Sequence, residues 1–489
     1  MRYRNDPDGT RLPIKLDATT NGEFAPIPLA PVHHRARALA LERATQHARR
    51  LGMSRRAFLV SACGAASTLL AFNDAYAAGR PRGGRYDIPG ESALDLTLAR
   101  STLDRKDFIF DVQGHFVNPT GAWLSTLPPG ARPLRFTENR GCKAADAPGL
   151  GYLECIGPDQ FVKDIFLDSD TDLIVLSFVP STRKGEPLTI EEAAATARIV
   201  EKMEGTHRMY IHGRVNPNQD GDLEAMDMLA EQYRIAAWKT YTQWGPGGKG
   251  FFLDEEPGLR LIEKARKLGI KTIAVHKGLP FGPRSYEHST CVDVGRVAKR
   301  YPDVNFLIYH SGFVTDKPEG PYDPQRTDGI DALITSLQQN GIKPGGNVYA
   351  ELGSTWRFLM RDPDAAAHAL GKLLRYVGED NVLWGTDSIW YGSPQDQIQA
   401  FRTFQISSEF SSRYGYPGIS KSARAKIFGR NALRIYPVPK DVLQKHLPRD
   451  RVALDRRDYR EASDPAFVTY GPKTRRQFLN LQAWSRAPA

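Results

Sequence analysis

The sequence predicts a closed (β/α)8 TIM barrel, and three observations carry that expectation. Eight short β-rich runs follow one another from Phe108 onward. Helix-like segments lie between them, as parallel strands require. Residues able to do chemistry keep falling at the C-terminal ends of those runs, the end where barrels carry their active sites. The rival, an open doubly wound sheet, usually shows a Gly-rich phosphate turn after its first strand, and none follows "FIFDVQ".

Taken in order, residues 1–52 are rich in Arg, Pro and His without a sustained period, and read as a disordered basic segment. In "SRRAFLVSACGAASTLLAF", Ser54 to Phe72, Arg55 and Arg56 precede an apolar run broken only by small residues. "AYAA" follows, with Ala75 and Ala77 as small residues around a cleavage point. Residues 53–78 thus read as a twin-arginine export signal cut after Ala77 or Ala78, with the export machinery as partner and a periplasmic or secreted destination. The run is shorter than the ~20 residues that span a bilayer. An N-terminal helix with two chance arginines is the plain alternative, and "VSAC" ending at Cys63 also resembles a lipoprotein cleavage box. The formal net charge is +10, and residues 1–78, with eleven Lys/Arg and six Asp/Glu, hold half of the excess. The remainder is too mildly basic for nucleic acid, and no basic stripe interleaves with aromatics.

Residues 79–105 read as a linker, by the composition of "AGRPRGGRYDIPGE". The barrel, 106–436, begins with "FIFDVQ" from Phe108 and continues with "LIVLSFV" from Leu173, "RMYIHGRVN" from Arg208 and "IAAWKTYT" from Ile235. "TIAVH" from Thr272, "NFLIYH" from Asn305, "NVYAEL" from Asn347 and "NVLWGTD" from Asn381 complete the eight. Helical patterns between them include "IEEAAATARIVEKM", "LRLIEKARKLG", "VGRVAKRYP", "IDALITSLQQNG" and "AAHALGKLLRYVG". The long loop from Asn118 to Asp159 holds Trp123, Arg140, Cys142 and Cys155, and reads as a lid or insertion. Those two cysteines are candidates for a disulfide in an oxidising compartment, with two free thiols as the equal alternative. Residues 437–489 form a C-terminal extension with eleven Lys/Arg against six Asp/Glu, read as an arm over the barrel or a contact in a homo-oligomer.

The strand ends carry the chemistry. His115 ends the first run, Lys239 is late in the fourth, and His276 ends the fifth. His310 ends the sixth, Glu351 is late in the seventh and Asp387 ends the eighth. Gln113 and His115, two apart on one strand, share a face roughly 6.6 Å apart. Two imidazoles and a carboxylate suit zinc with a position left open for water or substrate.

In these residues the chain resembles the amidohydrolase-related branch of the metal-dependent amidohydrolase superfamily, over roughly Phe108 to Tyr436. Its motifs fall on "DVQGH", "VHKG", "YHSGF" and "WGTD", and "KIFGRNALRIY" is similar to the closing helix of these barrels. The resemblance implies one divalent metal ion, zinc first, held by His115, His276 and Asp387. It also implies hydrolysis of an amide, ester, lactone or related bond of a small carbonyl or carboxylate substrate by a metal-bound water. Asp387 would take the proton and His310 would polarise or shuttle it. Gln113 departs from the family's usual histidine; a neutral amide oxygen is a poorer zinc ligand, so it is expected weakly bound or behind the ligands. Each residue also has a structural reading: Gln113 as a lumen amide, His115, His276 and His310 as satisfied core histidines, Asp387 as a helix cap. Lys239, Arg284, Trp390 and Tyr391 are candidate substrate contacts, with His288 beside them. Two other functions stay open. One is non-oxidative decarboxylation of an aromatic or unsaturated acid in the same site; the other is a degenerate barrel that binds a ligand without turnover, for which Gln113 is the sequence support.

Overall fold

The computed structural model describes residues 3–77, 82–104, 107–134, 142, 144, 147–280 and 286–485. Eight strands stand in chain order around one sheet. They are β1 (Phe110–Gly114), β2 (Leu173–Leu176), β3 (Met209–Arg214), β4 (Ile235–Tyr241), β5 (Thr272–His276), β6 (Asn305–Tyr309), β7 (Val348–Glu351) and β8 (Val382–Leu383). All seven neighbouring pairs are parallel. The ring closes between β1 and the segment after β8: Val112 N donates to Trp384 O and Asp387 N to Gln113 O, each at 3.0 Å. The expected TIM barrel is the observed fold.

Side chains alternate as the two-residue strand period demands. Ala274, Leu307, Tyr349 and Leu383 belong to one buried cluster with Phe110 and Tyr210, filling the barrel. Their strand neighbours Ile273, Val275, Phe306, Ile308 and Val348 belong to another, which meets the surrounding helices. With both faces buried, β2 (LIVL) and β8 (VL) are unbroken apolar runs, while β1 and β3 add buried polar residues.

The helix Ile190–Glu204 shows how local chemistry sets the ends. The Thr189 hydroxyl accepts from Glu192 N, the Glu192 carboxylate accepts from Thr189 N, and Gly205 ends the helix at φ 71°. Helices Glu256–Lys267, Val294–Arg300, Gly329–Gln339 and Pro363–Leu373 lie where the sequence places them. Helices Asp222–Gln232 and Gln395–Thr403 escape the sequence reading. In the first, only Leu223, Met226 and Leu229 form the buried apolar stripe, too narrow to stand out from the flanking loops.

The main departure lies before the barrel. The segment read as disordered is folded over its described residues, 3–52: α1 spans Pro31–Arg50. Ala36, Ala40, Ala44 and Ala48 recur every fourth residue and are all buried, so α1 packs closely on the helix Ala62–Tyr76. An alanine stripe carries little hydropathy, which hides its period in the sequence. The arginine-pair segment folds as α2 (Arg55–Val60) and α3 (Ala62–Tyr76). Arg56 is buried; it pairs with Asp6 at 3.5 Å and Asp464 at 3.0 Å and lies over the Phe467 ring. Leu69 and Phe72 of α3 join the cluster that covers the barrel's outer face. Among the described residues no helix is long and apolar enough to cross a membrane. The expected new N-terminus at Ala78 or Gly79 lies outside the described residues.

The expected linker is also partly ordered. Gly84–Tyr86 pairs antiparallel with Phe404–Ile406, and Asp95 caps a helix at Leu96–Leu103. The C-terminal extension is an arm. Arg208, just before β3, is held bidentately by Asp450, at 2.6 and 2.7 Å. Further on, Asp464 accepts from Arg4 N and Asn5 N, and Pro472 O accepts from Thr20 N. The arm therefore clasps the N-terminal segment. Cys142 and Cys155, left open by the sequence, form a disulfide, and Cys63 and Cys291 are buried thiols.

Candidate metal and catalytic site

The first strand does not present three equivalent side chains. The pairing of β1 with β2 shifts register between Asp111 and Gly114, so Asp111 and Gln113 meet different surroundings. Asp111 staples the barrel seam, accepting from Gln113 N at 3.0 Å, Thr386 N at 3.1 Å and the Thr386 hydroxyl. Burial pushes its carboxyl up to about 7. Gln113 and His115 instead meet Asp387. Gln113 Nε2 donates to Asp387 Oδ1 at 3.0 Å, and His115 Nε2 lies 3.2 Å from the same oxygen. Asn21 Nδ2 at 2.8 Å and the Ser354 hydroxyl at 2.6 Å donate to Asp387 Oδ2. Burial works to raise the Asp387 carboxyl. The hydrogen bond and charge of His115 outweigh it and hold the group below the usual carboxylate range.

His276 closes β5 and His310 follows β6. Their rings meet edge to face, with centroids 4.7 Å apart. His310 Nδ1 lies 2.6 Å from Gly353 O. A carbonyl only accepts, so Nδ1 carries the proton and Nε2 keeps its lone pair. That Nε2 has no hydrogen-bond partner among the described residues. His115 Nδ1 is tied likewise to Ser177 O at 3.0 Å. His276 Nδ1 lies 2.6 Å from the Gln243 amide nitrogen, while Gln243 Oε1, buried, has no partner among the described residues. Nδ1 thus accepts from Gln243, and Nε2 carries the ring's proton and donates it to Glu23 Oε1 at 2.6 Å, a proton that a bound cation would displace. Burial holds His276 well below the usual imidazole range, with the Lys239 charge adding to it. Burial, then His276, holds His310 near 4. Both rings are neutral at pH 7, the form that binds a metal. The donor set therefore fits a divalent cation, and this pair of imidazoles is a candidate metal site.

A third donor joins them from outside the barrel. Glu23 Oε1 lies 2.6 Å from His276 Nε2, and Oε2 lies 3.5 Å from His310 Nε2, too far for a hydrogen bond. The ligand atoms of Glu23, His276 and His310 all lie within 4.8 Å of one another. The set expected from the sequence, His115, His276 and Asp387, converges differently. Asp387 sits with His115 and Gln113, while His276 sits with His310 and Glu23. Asn21 links the two halves, because its Nδ2 also donates to Glu23 Oε2 at 2.5 Å. Burial pushes the Glu23 carboxyl up to about 7.

The backbone is bent to serve this arrangement. His310, Ser354 and Asp387 adopt φ of 59°, 55° and 56°, a region that non-glycine residues seldom enter and that clusters at functional sites. Glu351 accepts from His310 N at 2.9 Å and from Gly353 N, so it positions His310 rather than facing a ligand. Burial pushes its carboxyl well up. A methyl group on Gly385 would overlap the Glu351 carboxylate, so glycine is required there.

The expected substrate contacts divide. Lys239 lies in the barrel with Nζ 4.1 Å from the Tyr241 ring centre and 4.0 Å from that of Tyr309. It has no hydrogen-bond partner among the described residues, and burial lowers it to about 7. Trp390 stacks on His115, with centroids 6.4 Å apart. The Tyr391 hydroxyl meets Ser354 at 2.6 Å, so Tyr391 braces Asp387 at one remove. His288 packs its ring against Phe252. Arg284 and Arg140 lie outside the described residues. A cavity of about 460 Å³, lined by Lys15, Asp164, Asp396, Tyr459 and Arg460 among others, lies away from the site, and none of the site's residues lines it. Asn21, Glu23, Gln243 and Ser354 escape the sequence reading. The only signal near the first two was an acidic residue two beyond an Asn and beside a Gly, which many turns share.

A family model described as "Amidohydrolase" matches residues 111–438. No curated protein matches the chain. Among solved structures, 5-carboxyvanillate decarboxylase from Sphingomonas paucimobilis is 14% identical, covering 68% of this chain and 100% of its own, at TM-score 0.40. The corresponding enzyme from Novosphingobium aromaticivorans, with bound manganese and a nitrobenzoic acid, is 14% identical over 68% and 97%, at 0.43. A 2,6-dihydroxybenzoate decarboxylase from Rhizobium is 15% identical over 68% and 98%, at 0.39. At such identities and scores these likenesses carry no argument about reaction, metal or substrate.

Proposed function

The chain belongs to the amidohydrolase family, and we propose that it is a metal-dependent hydrolase of an amide, ester, lactone or related bond in a small carbonyl or carboxylate compound. The observation that carries this reading is the pair of buried imidazoles, His276 and His310, gathered with the Glu23 carboxylate within 4.8 Å, in a barrel mouth that also holds the depressed Asp387 carboxylate. His276 and His310 would hold the cation, and zinc suits such nitrogen donors. A divalent cation held there would polarise a carbonyl and acidify water.

The chain's own residues do the rest. Asp387 takes a proton, and His115, 3.2 Å from Oδ1, is placed to receive or return it. Gln113 and Ser354 hold the Asp387 carboxylate in place. Ser177 O accepts from His115 Nδ1, so the proton that moves between His115 and Asp387 is the one on Nε2. Chelator-stripped protein should lose turnover of ester and lactone substrates and regain it with added zinc. Turnover that survives complete metal removal would reject the reading.

A second reading, loss of carbon dioxide from an aromatic or unsaturated acid, draws on one feature. The Lys239 ammonium is buried without a hydrogen-bond partner among the described residues, as a group awaiting a substrate carboxylate would be. Carbon dioxide among the products would favour it over hydrolysis.

A further inference from the structure

We propose that Glu23, delivered from the N-terminal segment, is a carboxylate ligand of the same cation as His276 and His310, so that the metal site is completed from outside the barrel. This rests on the metal-dependent reading above and adds a ligand that strand-end reasoning does not supply.

Three observations carry it. The carboxylate is aimed at both imidazoles at once, with Oε1 on His276 and Oε2 toward His310. In a tetrahedral site with bonds of about 2 Å, ligand atoms stand roughly 3.3 Å apart, so three donors already within 4.8 Å need small movements to share an ion.

The second observation is that Glu23 is built in, not draped across. Gly22 turns the chain at φ 92°, a conformation open to glycine. Asn21 Oδ1 accepts from Glu23 N at 3.0 Å, and Gln482 Nε2 donates to Gly22 O at 3.0 Å. Thr20 N donates to Pro472 O, and Phe24 packs edge-on against Phe358. Both flanks of Glu23 are thus pinned, one by the C-terminal arm and one by the barrel.

The third is the donor count. Gln113 takes the place where a first-strand imidazole was expected; its Nε2 donates to Asp387, and its Oε1, which has no hydrogen-bond partner among the described residues, is a neutral oxygen and a poorer zinc ligand than imidazole. His276 and His310 alone leave the ion short of protein donors, since zinc sites with an open position use three. Two imidazoles and one carboxylate make up that number. The neighbour Asn21 then holds both carboxylates, Glu23 and Asp387, through one amide nitrogen.

The test uses the full chain stripped of metal and titrated with zinc alone and manganese alone. Glu23→Gln keeps the shape and removes the charge, and should weaken affinity at least ~10-fold, the lower bound for losing even an outer partner of a metal ligand. His276→Ala should abolish binding, and Glu224→Gln, on an exposed helix face, should match wild type. Affinity of Glu23→Gln equal to or tighter than wild type, with His276→Ala defective, would overturn the proposal and leave the metal reading standing. Wild type that binds neither ion overturns both. A second measurement is independent of how the variants fold: on the wild-type chain, added metal should slow hydrogen exchange at residues 19–24. Unchanged exchange at those residues, in protein that has taken up metal, also overturns the proposal.

Discussion

Asp387 keeps its charge in a buried position because His115, Gln113, Asn21 and Ser354 all contact its two oxygens. Asp387→Asn keeps the shape and loses both the charge and the capacity to take a proton. Turnover should fall at least ~10²-fold, the low end for general acid–base help, with an unchanged circular dichroism spectrum. Near-normal rates would remove Asp387 from the chemistry. Gln113 acts through Asp387 and donates to a charged acceptor, a bond of about 1.5–3 kcal/mol. Gln113→Ala should therefore slow turnover about 10–100-fold while metal content stays at the wild-type level. A loss of metal as complete as that of His276→Ala would instead make the amide a ligand, as one sequence reading allowed.

At the scale of elements, α1 meets α3 through Ala36, Ala40, Ala44 and Ala48, whose small side chains let the two helix backbones approach. Ala44→Leu inserts three carbons into a contact with no room for them. The expected cost is about 1–3 kcal/mol, read as a lowered midpoint in denaturant unfolding. A variant as stable as wild type would mean that α1 lies loosely on the protein. The short helix between them, α2, carries the arginine pair, and Arg56 is engaged by Asp6 and Asp464 from two ends of the chain. Folded in this way, Arg56 is not presented to solvent, and Arg55 is half-buried, with its guanidinium donating to Asp8 O.

Across the whole molecule, the N-terminal segment and the C-terminal arm hold each other over the barrel. Asp17 is one of the fastenings, accepting from Arg357 at 2.9 Å and the Thr469 hydroxyl at 2.7 Å. Burial works to raise its carboxyl, but Arg357 and then Lys473 outweigh it and bring it from 3.8 to about 2. A carboxyl depressed in the folded state contributes stability fully present above its unfolded value and lost as pH falls toward the folded one. The wrap should therefore loosen between about pH 4 and pH 2, seen as faster hydrogen exchange in residues 11–24. Asp17→Asn should flatten that part of the pH dependence, and an unaltered profile would rule Asp17 out. Burial of α2 and α3 also bears on processing. We predict that the intact mass of purified active protein retains residues 19–24. An active mature chain beginning at Ala78 or Gly79 would support the export-and-removal reading and exclude Glu23 from the site.

The sequence by itself determined the barrel, its strand order and which strand ends carry His115, His276, His310 and Asp387. Those features are local. A two-residue alternation inside a strand and a polar residue at its end are both visible within ten residues, and a parallel sheet in chain order needs no further information. Only the tertiary structure decided how the polar ends sort themselves. Asp111 went to the barrel seam because the register of β1 slips beside it. Asp387 went to His115 and Gln113, 274 residues from the latter. Glu23 reached His276 across 253 residues, a contact with no period or spacing to announce it. The N-terminal helices were hidden for a related reason. Their buried face is alanine, which contributes shape more than hydropathy, and shape complementarity exists only once both surfaces are folded.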